Sequence, residues 1–205
     1  PLDCFWCCNP ETRFSNRFRR VTVPQLYSYI REDTPYYLYS NGGVTFSGGE
    51  PLMQWPFVKE VIAQMPGMHT CIETCGYVDT KILEKFIPYV DIFLWDIKET
   101  DDERHKQYTG VSNAKILSNL ALLNERGASV VLRCPLIPGY NLRDEHLYAI
   151  GELAESLGCV TRVDVEPYHP LGSAKSQALG IDYPLGDTGF VEDSEVARII
   201  PLICS

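Results

Sequence analysis

Cys4 and Cys7 are separated by Phe5 and Trp6 and followed at once by Cys8, Asn9, Pro10 and Glu11. A C-x-x-C spacing lets both sulfurs point inward from one tight loop, so the pair can grip a single metal centre. Further along, Gly42-Gly43-Val44-Thr45-Phe46-Ser47 runs into Gly48-Gly49-Glu50-Pro51. A Gly-Gly-Glu turn after such a run leaves backbone N–H groups open beside one fixed carboxylate, which suits a small zwitterionic ligand. Together the two segments suggest a metal plus a charged cofactor.

The elements that must position them alternate. Short runs rich in Val, Ile, Leu, Phe or Thr predict strands over 43–47, 69–74, 92–96, 129–134 and 162–166. Helical patterns fall between them over about 52–64, 80–86, 102–126 and 143–157, and Pro24 opens a further helix running to about residue 32, with Pro35 and Tyr36 beyond its end. Repeated β-then-α units make an α/β fold with a parallel sheet. Five strands are too few for the closed eight-stranded barrel, so an open, partial parallel β/α barrel is expected, as one domain over residues 1–205. The thiol loop lies so near Pro1 that a first strand is expected to be missing, truncated from the N-terminus.

In parallel α/β folds ligands sit at the carboxyl ends of the strands. Each predicted end carries chemistry: Gly48-Gly49-Glu50, then Glu73-Thr74-Cys75-Gly76, Asp96-Ile97-Lys98, Arg133, and Glu166-Pro167-Tyr168-His169. Singly, Asp96 with Lys98 reads as a surface ion pair, His169 as a core histidine and Glu73 as a helix cap. Five such ends together favour one common site. Glu50 can accept from an ammonium, Lys98 and Arg133 can pair with a carboxylate, and Tyr168-His169 can meet a ribose or a ring. No Ser-His-Asp arrangement, Walker loop or H-E-x-x-H helix supports hydrolysis or phosphate transfer.

The 205 residues, 45% hydrophobic, can bury one sizeable core, and the net charge of −9 argues against nucleic acid as a partner. Arg13, Arg17, Arg19 and Arg20 form a basic run that reads as a solvated loop face or a dock for an acidic partner. No apolar stretch approaches a membrane span and no signal peptide precedes the first motif, so a cytoplasmic protein with reduced thiols is expected. Of the eight cysteines, Cys71, Cys134, Cys159 and Cys204 lie in apolar stretches and read as small core residues.

The segments already quoted, with Thr109-Gly110-Val111-Ser112-Asn113, Pro138-Gly139 and Pro167-Tyr168-His169-Pro170-Leu171-Gly172, occur in an order and spacing that resembles the radical S-adenosylmethionine superfamily. Within it the chain looks like the activating enzymes of glycyl radical enzymes. The resemblance implies a 4Fe-4S cluster on a C-x3-C-x2-C loop, with Cys4 and Cys7 matching the second and third ligands and the first falling immediately before Pro1. It implies that Gly48, Gly49 and Glu50 meet the methionyl amino group of S-adenosylmethionine and that Trp6 packs near the adenine. Asp96, Lys98, Arg133 and His169 would position the carboxylate and ribose side. Glu73 and Cys75 depart from the family's D-T-N-G segment, where aspartate and asparagine are usual, and Cys8 stands where histidine is frequent. Glu73 is expected to reach a cation or the cofactor, and Cys8 to stay beside the ligands without ligating. No cysteine lies between Glu11 and Gly42, so one cluster is expected.

The activity so implied is reductive cleavage of S-adenosylmethionine to a 5'-deoxyadenosyl radical that abstracts hydrogen from a glycine of a partner glycyl radical enzyme, with flavodoxin or ferredoxin as electron donor. Two alternatives stay open: a small radical S-adenosylmethionine enzyme acting on a metabolite, and a non-catalytic thiol- or metal-binding module.

Overall fold

Side chains alternate across a strand, so a period of two in polarity decides which face of a sheet is wet. The computed structural model describes residues 2–15, 18–186 and 188–204; Pro1, and Arg17 of the basic run, lie outside them. Helices Glu11–Phe14 (α1), Val23–Glu32 (α2) and Thr34–Ser40 (α3) lead to strand Gly43–Phe46 (β1). Trp55–Ala63 (α4), His69–Thr74 (β2), Thr80–Leu83 (α5) and Ile92–Asp96 (β3) follow. Next come Asp102–Thr109 (α6), Ala114–Glu125 (α7), Val130–Leu136 (β4), Asp144–Ser156 (α8) and Val160–Pro167 (β5). Leu171–Ala178 (α9) and Asp193–Ile203 (α10) complete the order.

The strands form one five-stranded sheet in the order β1-β2-β3-β4-β5, with every neighbouring pair parallel. Among the described residues β1 and β5 do not pair with each other, so the sheet is the open, partial barrel expected from five β/α units. The registers Thr45↔Cys71, Glu73↔Leu94, Asp96↔Arg133 and Pro135↔Glu166 place Glu73, Asp96, Arg133 and Glu166 on one face. Ile72, Phe93, Trp95, Val130, Leu132 and Leu136 point the other way and are fully buried. Val61 of α4, Leu120 and Leu123 of α7 and Leu147 and Ile150 of α8 join them in one apolar cluster. At about 1.5–3 kcal/mol per buried aliphatic side chain, that layer carries the stability and leaves the opposite face free for charge.

Several boundaries differ from expectation. The pattern over 102–126 is two helices, because Gly110 at φ +82° closes α6, its N–H donating to the Lys106 carbonyl. Pro35 lies beyond the end of α2 as expected, but it also opens a helix that was not expected, sitting in the first turn of α3, where a missing N–H costs nothing. The stretch over 52–64 opens with a 3-10 turn, Pro51–Gln54, before α4, and the one over 80–86 is helical only over Thr80–Leu83. Cys134 and Cys159 are buried core residues as read, Cys71 is half-buried, and Cys204 is exposed because it caps α10 past its packed face.

Candidate functional site

A cavity of about 910 Å³ opens over the charged face of the sheet, at the carboxyl ends of the strands. Every residue singled out from the sequence as a thiol ligand or cofactor contact lines it. The thiol loop covers one side. Its backbone leans on the end of α6, Asp3 N–H donating to Thr109 O at 2.8 Å and Phe5 N–H to Tyr108 O at 3.2 Å, while Cys7 N–H turns back to Cys4 O at 3.3 Å. Trp6 is buried against Tyr108 and Tyr140, with ring centroids 5.6 and 6.2 Å away. Its Nε1 is a buried donor with no partner among the described residues.

The Gly-Gly-Glu turn meets that loop. Gly48 takes φ +115°, a conformation other residues rarely adopt, and a side chain on Gly49 would stand 3.2 Å from Thr12 Oγ1. Glu50 does not hang free in the cavity: its carboxylate accepts from Leu52 N–H at 3.1 Å, from Thr74 Oγ1 at 2.9 Å, and from the Cys75 N–H at 3.0 Å. It therefore ties the end of β1 to the end of β2 while one edge still lines the cavity.

Asp96 and Lys98 form a pair, Nζ to Oδ2 at 2.8 Å, with side chains only 14% and 17% exposed, so the surface ion pair considered from sequence is a largely buried one. Burial works against the Lys98 charge, but Asp96 holds the ammonium well above its ordinary value. Arg133 bridges Glu73 and Glu166, and Ser47 Oγ donates to Glu73 at 2.9 Å, linking β1, β2, β4 and β5 in one row. Burial opposes the Arg133 charge as well, and Glu166 and Glu73 outweigh it. His169 lines the mouth and is exposed.

The donor set suits an iron–sulfur group in its chemistry: two soft thiols facing a cavity with Lys98 and Arg13 near them. Burial pushes the metal-free Cys4 thiol up to about 11, against the opposing pull of Lys98, so a metal must displace its proton. Among the described residues no group of three or more His, Cys, Asp or Glu is placed to hold a metal ion, so Cys4 and Cys7 do not make a complete set with their described neighbours.

Sequence reasoning assigned no site role to Ser47, none to Glu166 beyond its place at the fifth strand end, and none to Asn141. The first two follow from period-two alternation, which puts them on the face of Glu73 and Arg133. Asn141 leaves no such signal: it is fully buried, donates to Lys98 O at 2.8 Å and Pro135 O at 2.7 Å, and accepts from Ile137 N–H, fixing the backbone that carries Lys98. The segment 109–113 lies away from the cavity, where Ser112 and the Asn113 N–H are tied to Asp102 between α6 and α7.

A family model described as the radical SAM superfamily matches residues 1–149. The chain is 37% identical over 204 residues to a pyruvate formate-lyase-activating enzyme of Staphylococcus aureus (strain USA300), covering 95% of this chain and 81% of that protein. In fold it is similar to a domain of pyruvate-formate lyase-activating enzyme from Bacteroides vulgatus ATCC 8482, with a TM-score of 0.65 and 23% identity over 79% of this chain and 92% of that one. Streptococcus suis SuiB bound to precursor peptide SuiA matches with a TM-score of 0.70 and 15% identity, over 98% of this chain and 42% of that one. The sheet order, the cavity at the strand ends and these similarities together establish that the chain belongs to the radical SAM superfamily, among relatives of the pyruvate formate-lyase-activating enzymes.

Proposed function

We propose that the chain is a glycyl-radical-enzyme activating enzyme. The observation that carries this reading is the meeting of Cys4 and Cys7 with the Gly48-Gly49-Glu50 turn over one cavity, in a chain 37% identical to a named activating enzyme. A bound 4Fe-4S cluster and S-adenosylmethionine supply one-electron cleavage of the sulfonium, giving methionine and a 5'-deoxyadenosyl radical able to take a hydrogen atom from glycine.

The residues divide the remaining work. Cys4 and Cys7 hold the cluster as thiolates, and Gly48 and Gly49 offer backbone to the methionyl amino group, with Glu50 fixing their turn. Asp96 and Lys98 present a carboxylate and an ammonium in fixed register, and Lys98 with Arg133 suits the methionyl carboxylate. Glu73, held by Arg133 and Ser47, and His169 at the mouth face the ribose side. Trp6 walls off the adenine side with its aromatic neighbours. The open barrel gives a glycine-bearing loop of a partner access while the walls exclude water. An acidic one-electron donor such as flavodoxin or ferredoxin, and a cytoplasmic setting, complete the reading; no helix among the described residues is long and apolar enough to cross a membrane.

The test uses the protein at its natural length, reconstituted without oxygen. One cluster's worth of iron and sulfide, cofactor cleavage under a strong reductant, and a doublet electron paramagnetic resonance signal arising in a glycyl radical enzyme encoded nearby are expected. Cleavage with modification of a small molecule and no such doublet would replace this reading with a metabolite-acting enzyme.

A further inference from the structure

The loop that carries Cys4 and Cys7 is held from behind by α9. Lys175 Nζ donates to the Cys8 carbonyl at 2.9 Å and to Asn9 Oδ1 at 2.9 Å, and pairs with Glu11 Oε1 at 3.1 Å. A lysine ammonium has three donors and no acceptor, so these contacts use its whole capacity on one stretch of four residues. The same helix presses its backbone on the loop one position earlier: a side chain on Gly172 would stand 3.0 Å from the Cys7 carbonyl oxygen and 3.4 Å from Cys8 Cα. Asn9 passes the contact on, since its Nδ2 reaches Gly48 O at 3.5 Å and its carbonyl accepts from Thr12 Oγ1 at 2.8 Å.

Exposure decides what this arrangement is for. The Lys175 and Glu11 side chains are 44% and 43% exposed, and ion pairs that open to water contribute little to global stability. The geometry, by contrast, is specific: one cation fixes a carbonyl, an amide and a carboxylate of a loop whose own internal bond between Cys7 and Cys4 is a long one. We propose that Lys175 is a positioning residue for the thiol loop, setting the path of residues 8–11 and, through the peptide that joins Cys7 to Cys8, the direction of the Cys7 sulfur. The inference rests on the reading of Cys4 and Cys7 as cluster ligands.

The experiment compares the parent full-length protein with Lys175→Met, Lys175→Arg and Gly172→Ala, each reconstituted anaerobically. Three readouts are taken: loss of iron to EDTA with time, the line shape of the reduced cluster by electron paramagnetic resonance, and thermal unfolding of the metal-free protein. Lys175→Met is expected to unfold within about 2 °C of the parent, to lose iron roughly 10-fold faster, and to show a broadened line shape. Lys175→Arg, which keeps the charge and the donors, restores most of both, and Gly172→Ala shifts the line shape by pressing on the Cys7 carbonyl. Iron loss at the parental rate with an unchanged line shape in Lys175→Met overturns the proposal. So does a large fall in metal-free stability that Lys175→Arg repairs without repairing the line shape, which would make the lysine a general structural residue. A parent that holds no iron overturns the ligand reading itself, and this inference with it.

Discussion

Glu50 Oε2 accepts hydrogen bonds from both the backbone N–H and the thiol of Cys75, at 3.0 and 3.1 Å. One carboxylate thus satisfies the end of β2 from the turn after β1. Removing a buried acceptor leaves its donors unpaired at about 1–3 kcal/mol each. Glu50→Ala is expected to lower the stability of the metal-free protein by about 2–4 kcal/mol, with Glu50→Gln intermediate, read from denaturant midpoints. A midpoint equal to the parent's would show that other groups take over the clasp. Weak S-adenosylmethionine binding by Glu50→Ala is then to be interpreted only beside that midpoint.

The Asp96–Lys98 pair gives a second test. Breaking a buried pair strands one charge and costs about 3–5 kcal/mol, whereas removing both partners costs far less. Asp96→Asn and Lys98→Met are each expected to destabilise strongly, and the double variant to recover at least half of the summed loss. Additive losses in the cycle would mean the two groups do not depend on each other. Cofactor binding, measured by titration, is expected to fall in all three.

Gly76 offers a test independent of any ligand. It takes φ +71°, and a side-chain carbon there would lie 2.1 Å from Trp95 Cζ2, at the fully buried indole. Gly76→Ala combines a disfavoured backbone with overpacking, so a loss of at least about 3 kcal/mol is expected. Near-parental thermal unfolding of Gly76→Ala would contradict the packing of Trp95 under the second strand end.

His146 makes the fold sensitive to acid. Burial pushes its pKa down to about 4 from the ordinary 6.5, although Glu99 stands 3.3 Å from its Nδ1 and favours the charged form. Thr100 N–H donates to the same Nδ1, Arg143 occupies Glu99, and Nε2 has no partner among the described residues. Between pH 6.5 and 4 the unfolded chain therefore takes up a proton that the folded chain refuses, and stability falls as the pH drops. Lowering the pH from 7.5 to 5 is expected to cost about 2 kcal/mol through this group, with buried His105, also shifted down, acting in the same direction. Glu99, held below its ordinary value, adds its loss only at more acidic pH. Denaturation curves of His146→Gln at the two pH values are expected to show a smaller difference than those of the parent; an equal difference would assign the effect elsewhere.

The strands were legible because local pattern sets them: β2 and β3 follow the expected limits, and their alternation sends Glu73 and Asp96 to one face and Ile72, Phe93 and Trp95 to the other. The site was legible as a set of strand ends, since a parallel sheet brings those ends together whatever the intervening helices do. What sequence could not supply was who bonds to whom. Glu50 reads as a cofactor group by its place in the turn, but its partners come from β2, and that pairing exists only once the register is set. Arg133 likewise reaches Glu73 and Glu166 across strands. Gly110 carried a usable signal for the break between α6 and α7, whereas α9 and α10, beyond the last strand, follow no β-then-α alternation and were not legible from it.

The bond between Lys175 and the Cys8 carbonyl spans 167 positions of sequence. Chains leave the ribosome N-terminus first, and contacts of such separation close late because the intervening loop entropy must be overcome first. The thiol loop is thus made before α9, and the contact between the two is among the last to close. Until α9 is made the thiol loop can lean on α6 and on the Gly-Gly-Glu turn, but residues 8–11, which follow Cys7 directly, lack the cation that ties them together.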